Sequence, residues 1–522
     1  MSINTKSTFL GIEFGSTRIK AVLTDDSFAP IASGAWDWEN KLENGFWTYS
    51  LDMVREGLQG VFADLSRDVK EKFGEPLRVV GAMGISAMMH GYLAFDKHDR
   101  LLVPFRTWRN TTTGAAAQEL SALFGFNVPQ RWSISHLYQA ILNGEEHVPE
   151  VAHITTLAGY VHFLLTGERA VGVGDAAGIF PLDKDGQYDA AMLDKFNTLA
   201  REKGFSADIR GVLPAVKFAG EGGAVLSGSG AALLDPTGNF AAGVPMCPPE
   251  GDAGTGMVAT NSVLPRTGNV SAGTSIFSML VLEKPLEGVY PEIDVVATPD
   301  GKPVAMVHCN NCCCELDAWV KLFGEFSKLS GREMSVGEVY EMLYKNALGG
   351  DADCGGVVAY NFLSGEPVAG VEEGRPMYLR TPDGAFSLAN FMRAQLYTAF
   401  GALKLGMDIL SEKERVPADR FTGHGGLFKV RGVAQQFLAD ALGAEVSVMK
   451  TAGEGGAWGM ALLAAYMNCG GGAALSDWLE NCVFSGSERI TLAPTKDGTA
   501  GFARYMERFC AGLPAQRIAA AR

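Results

Sequence analysis

The 522-residue chain contains no apolar run near the roughly 20 residues that a membrane-spanning helix needs. It has no surplus of basic residues either: 44 Lys and Arg stand against 59 Asp and Glu, a formal charge of −15. That balance argues against nucleic acid or an anionic membrane surface as the main partner. A phosphorylated ligand is still compatible with it, because backbone N–H groups can hold phosphate in a small local site. The start, MSINTKSTFLGIEFG, lacks the basic stretch, apolar run and small-residue cleavage site of a secretory signal. Nine cysteines are an odd number, which speaks against a disulfide framework, so a reducing cytoplasmic location is expected. There is no G-x-x-x-x-G-K-[ST] segment, which excludes a P-loop, and no G-x-S-x-G elbow to support a serine hydrolase.

What is present is the balance of a globular protein, 47% hydrophobic and 20% charged, too long for one ordinary core. Strand-like and helix-like segments alternate, which predicts an α/β architecture. Residues 9–23, FLGIEFGSTRIKAVL, read as two apolar strands joined by a Gly-Ser-Thr turn. LRVVGAMGISAM (77–88) reads as a buried strand, and 116–126, 157–167 and 388–410 have the apolar spacing of helices. TGNVSAGTSIFSMLVLE (267–283) repeats the strand–turn–strand device about 250 residues later. Two such hairpins predict two related lobes, with a boundary in the Gly/Pro-rich stretch 243–254.

Several residue groups have the chemistry of a site. Asp252 sits among Gly251, Ala253, Gly254, Thr255 and Gly256 with no Lys or Arg in the segment, and reads either as an Asx-turn residue or as a general base. The turns Gly15-Ser16-Thr17 and Gly273-Thr274-Ser275 could present N–H and O–H donors to a polyphosphate, or could be ordinary hairpins. The glycine clusters at 424–426 and 453–456 each precede a helical pattern, placing free N–H groups at a helix start. In HCNNCCCEL (308–316), Cys309 and Cys312 have C-x-x-C spacing but no second ligand pair, so small, partly buried thiols are the simpler reading than a zinc site.

In this order along the chain, GIEFGSTRIKAVL, GISAMMHGYLAFD, LTGERAVGVGDAAG, GDAGTGM, SAGTSI, YNFLSGE and GEGGAWGMALLA resemble the FGGY family of carbohydrate kinases. The resemblance covers nearly the whole chain. It implies an α/β fold of two actin-like (ribonuclease H-like) lobes with a catalytic cleft between them: residues 1–248 for sugar and the first phosphate hairpin, 249–522 for nucleotide and the catalytic-base turn. It implies ATP-dependent phosphorylation of a sugar hydroxyl with Asp252 as general base. ATP contacts would come from Gly15, Ser16, Thr17, Lys20, Gly273, Thr274, Ser275, Gly425, Gly426, Gly455 and Gly456. MMHG (88–91) and TWRN (107–110) look most like xylulokinases, placing Met89, His90, Trp108, Arg109 and Asn110 at a ketopentose such as D-xylulose. Read alone, His90 is more readily a satisfied core histidine, and the family context makes it a sugar hydroxyl partner. Arg109 stands where xylulokinases typically carry Asn. Glu13 stands where the family normally has Asp, and is expected to serve Mg²⁺ directly or through water. L-ribulose, D-ribulose, L-xylulose and polyols are alternative substrates, and a non-catalytic sugar or nucleotide sensor is the alternative of another class. The expected partners are a small sugar and ATP, without nucleic acid or membrane, as a monomer or a homodimer.

Overall fold

A computed structural model describes residues 5–449 and 455–520. The chain forms two compact units that interleave in sequence. The first comprises Met1–Val263, Asp294–Val304 and Glu454–Gly486, and the second Leu264–Ile293, Ala305–Gly453 and Ser487–Arg522.

The first unit is built on strands β1 (Phe9–Phe14), β2 (Arg18–Thr24), β3 (Pro30–Asp37), β4 (Ala82–Ala87) and β5 (Glu250–Gly251). Their order is β5-β4-β1-β2-β3. The first three form an antiparallel meander, while β4 and β5 run parallel to β1. β1 is apolar apart from Glu13 because helices cover both of its faces. On one side lies the helix Leu51–Phe73, started by Ser50, whose hydroxyl accepts from Met53 N–H, and ended at Gly74 in the left-handed region. It lies so close to β3 that a Cβ on Gly34 would stand 2.4 Å from the Val61 carbonyl oxygen. On the other side lies the helix Gly455–Cys469, against which a Cβ on Gly11 would stand 2.0 Å from the Ala457 carbonyl oxygen. Leu10, Ile12, Leu58, Val61 and Leu65 between these layers are fully buried, each contributing roughly 1.5–3 kcal/mol by leaving water. A second core in this unit gathers the helices Gly114–Phe124, Ser133–Asn143 and Ala190–Glu202 around Trp132, Tyr138 and Phe180.

The second unit repeats the plan. Its strands β6 (Thr267–Ala272), β7 (Ile276–Val281), β8 (Pro303–Cys309), β9 (Arg420–His424), β10 (Glu445–Met449) and β11 (Arg489–Leu492) lie in the order β8-β7-β6-β9-β10-β11. The β6–β7 hairpin is antiparallel, β9 and β10 add in parallel, and β11 closes the edge antiparallel. The central helix Leu388–Asp408 is buried along most of its length, and a Cβ on Gly406 would meet Val307 of β8 at 2.3 Å. Each sheet therefore starts from a hairpin and extends from its first strand by parallel strands.

Two local readings change. The strand expected in 77–88 is confined to Ala82–Ala87. The turn expected around Asp252 is instead the start of the helix Asp252–Ala259. The helix packs closely against the helix Gly455–Cys469, where a Cβ on Gly459 would stand 2.0 Å from the Thr255 carbonyl oxygen. Residues 450–454, the first part of the second glycine-rich motif, lie outside the described residues.

Candidate active site

In the first unit the hairpin, β4 and the Asp252 helix converge at the carboxyl ends of parallel strands, where α/β sheets place their ligands. Glu13, near the end of β1, is in register with Lys20 on β2 and Ser86 on β4. Its Oε2 accepts from Ala457 N–H at 3.2 Å, and its Oε1 takes no protein donor among the described residues. Beyond β4 the chain passes through His90 (φ 69°) and Gly91 (φ 85°), both in the left-handed region. For a histidine that conformation costs on the order of 1 kcal/mol, held by its surroundings. It brings Met89 N–H to Asp252 Oδ1 at 3.3 Å. His90 is buried, with Nδ1 3.3 Å from the Gly178 carbonyl oxygen. Gly178 has no room for a side chain, since a Cβ there would lie 2.5 Å from Nδ1.

Two further acids lie behind Asp252. Asp175 is fully buried; its Oδ2 accepts from the Thr156 hydroxyl, and its Oδ1 has no partner among the described residues. Glu250 is also buried, and its two oxygens accept from the N–H groups of Gly174, Asp175 and Gly251. Burial raises all four carboxyl groups, and neighbouring negative charge adds to this for all but Asp252. Asp252 is pushed up to about 6, chiefly by burial, with Met89 N–H pulling it back. Glu13 is pushed up to about 7 by burial and the charge of Asp252, against the pull of Lys20 and Ala457 N–H. Asp175 rises to about 7 and Glu250 to about 8, each by burial first. The sequence reading gave Asp175 and Glu250 no role. The available signal was an acid in an otherwise uncharged, apolar segment, which once buried must collect N–H donors.

The two hairpin turns share one device, a turn whose carbonyl oxygens are tied back. In the first, Gly15 O accepts from the Trp38 indole N–H at 2.7 Å, Ser16 O from the Tyr49 hydroxyl at 2.5 Å and Thr17 O from Trp38 N–H at 3.2 Å. Among the described residues no protein group bonds the Ser16 or Thr17 hydroxyls, which are therefore open to an anion. In the second, Thr274 O accepts from Cys312 N–H at 2.9 Å and Gly273 O from Cys313 N–H at 3.0 Å. The cysteine cluster thus braces this turn through its main chain. Its loop is held by Asn311, whose Oδ1 accepts from Leu363 and Ser364 N–H and whose Nδ2 donates to Glu366 Oε2 at 3.0 Å. All nine cysteines are free thiols, and among the described residues no group of three or more His, Cys, Asp or Glu is placed to hold a metal ion.

The glycines expected to meet nucleotide fall into two places. Gly455 and Gly456 lie in the first unit against Glu13: a Cβ on Gly456 would stand 2.4 Å from Glu13 Oε1. Gly425 lies in the second unit beside the β6 end of the hairpin, where φ is 103° and a Cβ would meet the Ala272 carbonyl oxygen at 2.3 Å. Gly426, next along, starts a short helical turn and has open space around it. Of the residues expected at the sugar, Met89, His90 and Asp252 are brought together. Trp108 is half-buried against the core, and exposed Arg109 lies over the Trp47 ring at 4.0 Å. Asn110 is committed elsewhere: its amide pairs with Trp47 N–H at 2.8 Å and Trp47 O at 2.9 Å.

The chain is similar to known carbohydrate kinases. Residues 268–468 match the C-terminal domain of the FGGY family of carbohydrate kinases. A xylulose kinase of Haemophilus influenzae is 21% identical over 480 residues, covering 88% of this chain and 90% of its own. The structure of a xylulose kinase from Rhodospirillum rubrum superposes with a TM-score of 0.78 at 17% identity, covering 99% of this chain and all of that one. A gluconate kinase from Lactobacillus acidophilus superposes equally well, with a TM-score of 0.78 at 15% identity, over 98% of this chain and 99% of its own. At such identities the structural likeness is one of fold, and it spans kinases of different sugars.

Proposed function

We propose that this chain, a carbohydrate kinase of the FGGY family, transfers the γ-phosphoryl group of ATP to a hydroxyl of a ketopentose such as D-xylulose, with Asp252 as general base. One observation carries the reading: the Asp252 carboxyl, with no cation bonded to it, is held by Met89 N–H in the strained segment that also carries His90. A sugar hydroxyl is a poor nucleophile, and a carboxylate within hydrogen-bond reach orients it and takes its proton as transfer proceeds. A group near 6 is ionised at neutral pH yet more basic than an exposed carboxylate, which suits that task. Met89 N–H holds one oxygen of Asp252, and in this reading the carboxyl takes the proton of the substrate hydroxyl. His90 and Trp108 shape the sugar pocket in this reading. Ser16, Thr17 and Lys20 in one unit, and Gly273–Ser275 with Gly425 and Gly426 in the other, supply phosphate donors.

A magnesium ion fits Glu13. Among the described residues one of its oxygens has no protein donor, and such ions are held by one or two carboxylates completed by phosphate oxygens and water. When bound, the ion neutralises charge on the transferring phosphate. Asn110, with its amide spent on Trp47, is proposed to hold the Trp47 segment rather than to bind sugar.

The test is ADP release with Mg-ATP against D-xylulose, L-xylulose, D-ribulose, L-ribulose, glycerol and gluconate, with Asp252→Asn in parallel. Strong stimulation by one ketopentose and its loss in Asp252→Asn are expected. No stimulation by any of them from protein that binds ATP would overturn the kinase reading for this panel. Turnover retained by Asp252→Asn would remove the base.

A further inference from the structure

Glu250 takes no part in the chemistry above, yet the first unit is built around its side chain. Three glycines leave the space it fills: a Cβ on Gly172 would stand 2.2 Å from Oε1, one on Gly174 2.6 Å from Oε2 and one on Gly254 3.3 Å from Oε2. Oε1 accepts from Gly174 N–H at 3.2 Å, and Oε2 from Asp175 N–H at 3.1 Å and Gly251 N–H at 3.2 Å. These donors come from two segments about 75 residues apart in sequence. The later segment ends at Gly251, directly before Asp252. The earlier continues to Gly178, whose carbonyl oxygen meets His90 Nδ1 at 3.3 Å. A single main-chain bond, Gly172 N–H to Pro249 O at 2.6 Å, joins the same two segments outside the carboxyl group. Among the described residues no cation is bonded to Glu250, whose donors are all main-chain N–H groups. Its partners are N–H donors of the frame that carries the base on one side and backs His90 on the other.

We propose that Glu250 is a positioning residue that fixes Asp252 relative to His90, and so fixes the accepting hydroxyl relative to its base. The proposal rests on the reading of Asp252 as general base. The geometry of the acceptors gives it specificity. Donors approach both oxygens of Glu250, and a carboxyl group, ionised or protonated, keeps acceptor capacity on both, whereas a glutamine offers one acceptor oxygen and turns an NH₂ group toward N–H donors on the other side. An aspartate keeps both acceptors but reaches about 1.5 Å less far.

The experiment compares Glu250→Gln, Glu250→Asp and Asp252→Asn in the full chain, measuring kcat, KM for sugar and for ATP, and ADP binding by calorimetry. Glu250→Gln is expected to lower kcat roughly 10- to 100-fold, the effect of a displacement near 1 Å at a reacting group. KM for ATP and the ADP affinity should stay within about twofold, and Glu250→Asp should recover part of the loss. Wild-type kcat in Glu250→Gln, with Asp252→Asn inactive, would overturn the positioning role and leave the base reading intact. ADP affinity lost in proportion to kcat would overturn it too, as would an Asp variant no better than Gln, since both mark a general loss of structure. Retained turnover in Asp252→Asn would remove the base and with it the object of the positioning.

Discussion

Replacing Asp175 by asparagine should make the protein more stable at alkaline pH, and the size of the effect follows from its surroundings. Asp175 is fully buried, has one side-chain donor in Thr156, and leaves Oδ1 without a partner, with Glu250 and Asp252 close by. Its carboxyl is raised from the usual 3.8 to about 7. The folded state therefore keeps a proton that the unfolded chain gives up, and stability falls as pH rises between those two values. Each unit in that window is worth about 1.4 kcal/mol, so the loss reaches a ceiling of about 4 kcal/mol at pH 8 and about 1.5 kcal/mol at pH 5. Asparagine is neutral throughout and can accept the Thr156 hydroxyl, but its buried NH₂ group lacks an acceptor, which costs about 1–2 kcal/mol. The balance is a gain of about 2 kcal/mol at pH 8 and none at pH 5. A chain of two units need not unfold in one step, so the measurement is the melting midpoint of wild type and variant at both pH values. The variant should melt about 4 °C or more above wild type at pH 8 and level with it at pH 5. A variant less stable at pH 8, or a difference that does not grow between pH 5 and 8, would refute the reasoning.

Three more outcomes are expected. The kcat/KM for sugar should fall about tenfold per pH unit below about 6, where Asp252 takes up its proton, and this acid limb should vanish in the residual activity of Asp252→Asn. Glu13→Gln should raise the Mg²⁺ concentration needed for half-maximal ADP binding, read by calorimetry across a Mg²⁺ series; an unchanged requirement would take Glu13 out of the metal site. Asn311→Ala should release the loop that braces Gly273–Ser275, raising KM for ATP more than it changes KM for sugar, whereas equal changes would point to a role outside the phosphate turn.

The parts legible in the sequence are those set by neighbours along the chain. Alternating apolar residues around Gly-Ser-Thr and Gly-Thr-Ser specify both hairpins, which appear as Phe9–Phe14 with Arg18–Thr24 and as Thr267–Ala272 with Ile276–Val281. Helical spacing located the helices Leu157–Thr166 and Leu388–Asp408 for the same reason. The chemical type of Asp252, Glu13 and His90 marked them as candidates without showing what each one touches. Asp252 was expected in a turn because its glycine neighbours lower helix propensity. It opens a helix that packs against the helix Gly455–Cys469, where the missing side chain of Gly459 lets Thr255 come close.

Tertiary structure alone decided the remaining questions, because they depend on groups distant in sequence. Ala457 N–H reaches Glu13 across 444 residues, and Met89 N–H reaches Asp252 across 163. The cysteine loop gains its part from two main-chain bonds to a turn some forty residues earlier, which no spacing of thiols encodes. Glu250 stands two positions before Asp252, yet its partners could not be read from the sequence, since they are N–H groups that every residue except proline possesses. Sequence determined which side chains were available and which local turns would form. Packing determined which of those side chains lost their water and whose N–H groups replaced it, and that exchange sets the proton affinity of the acids.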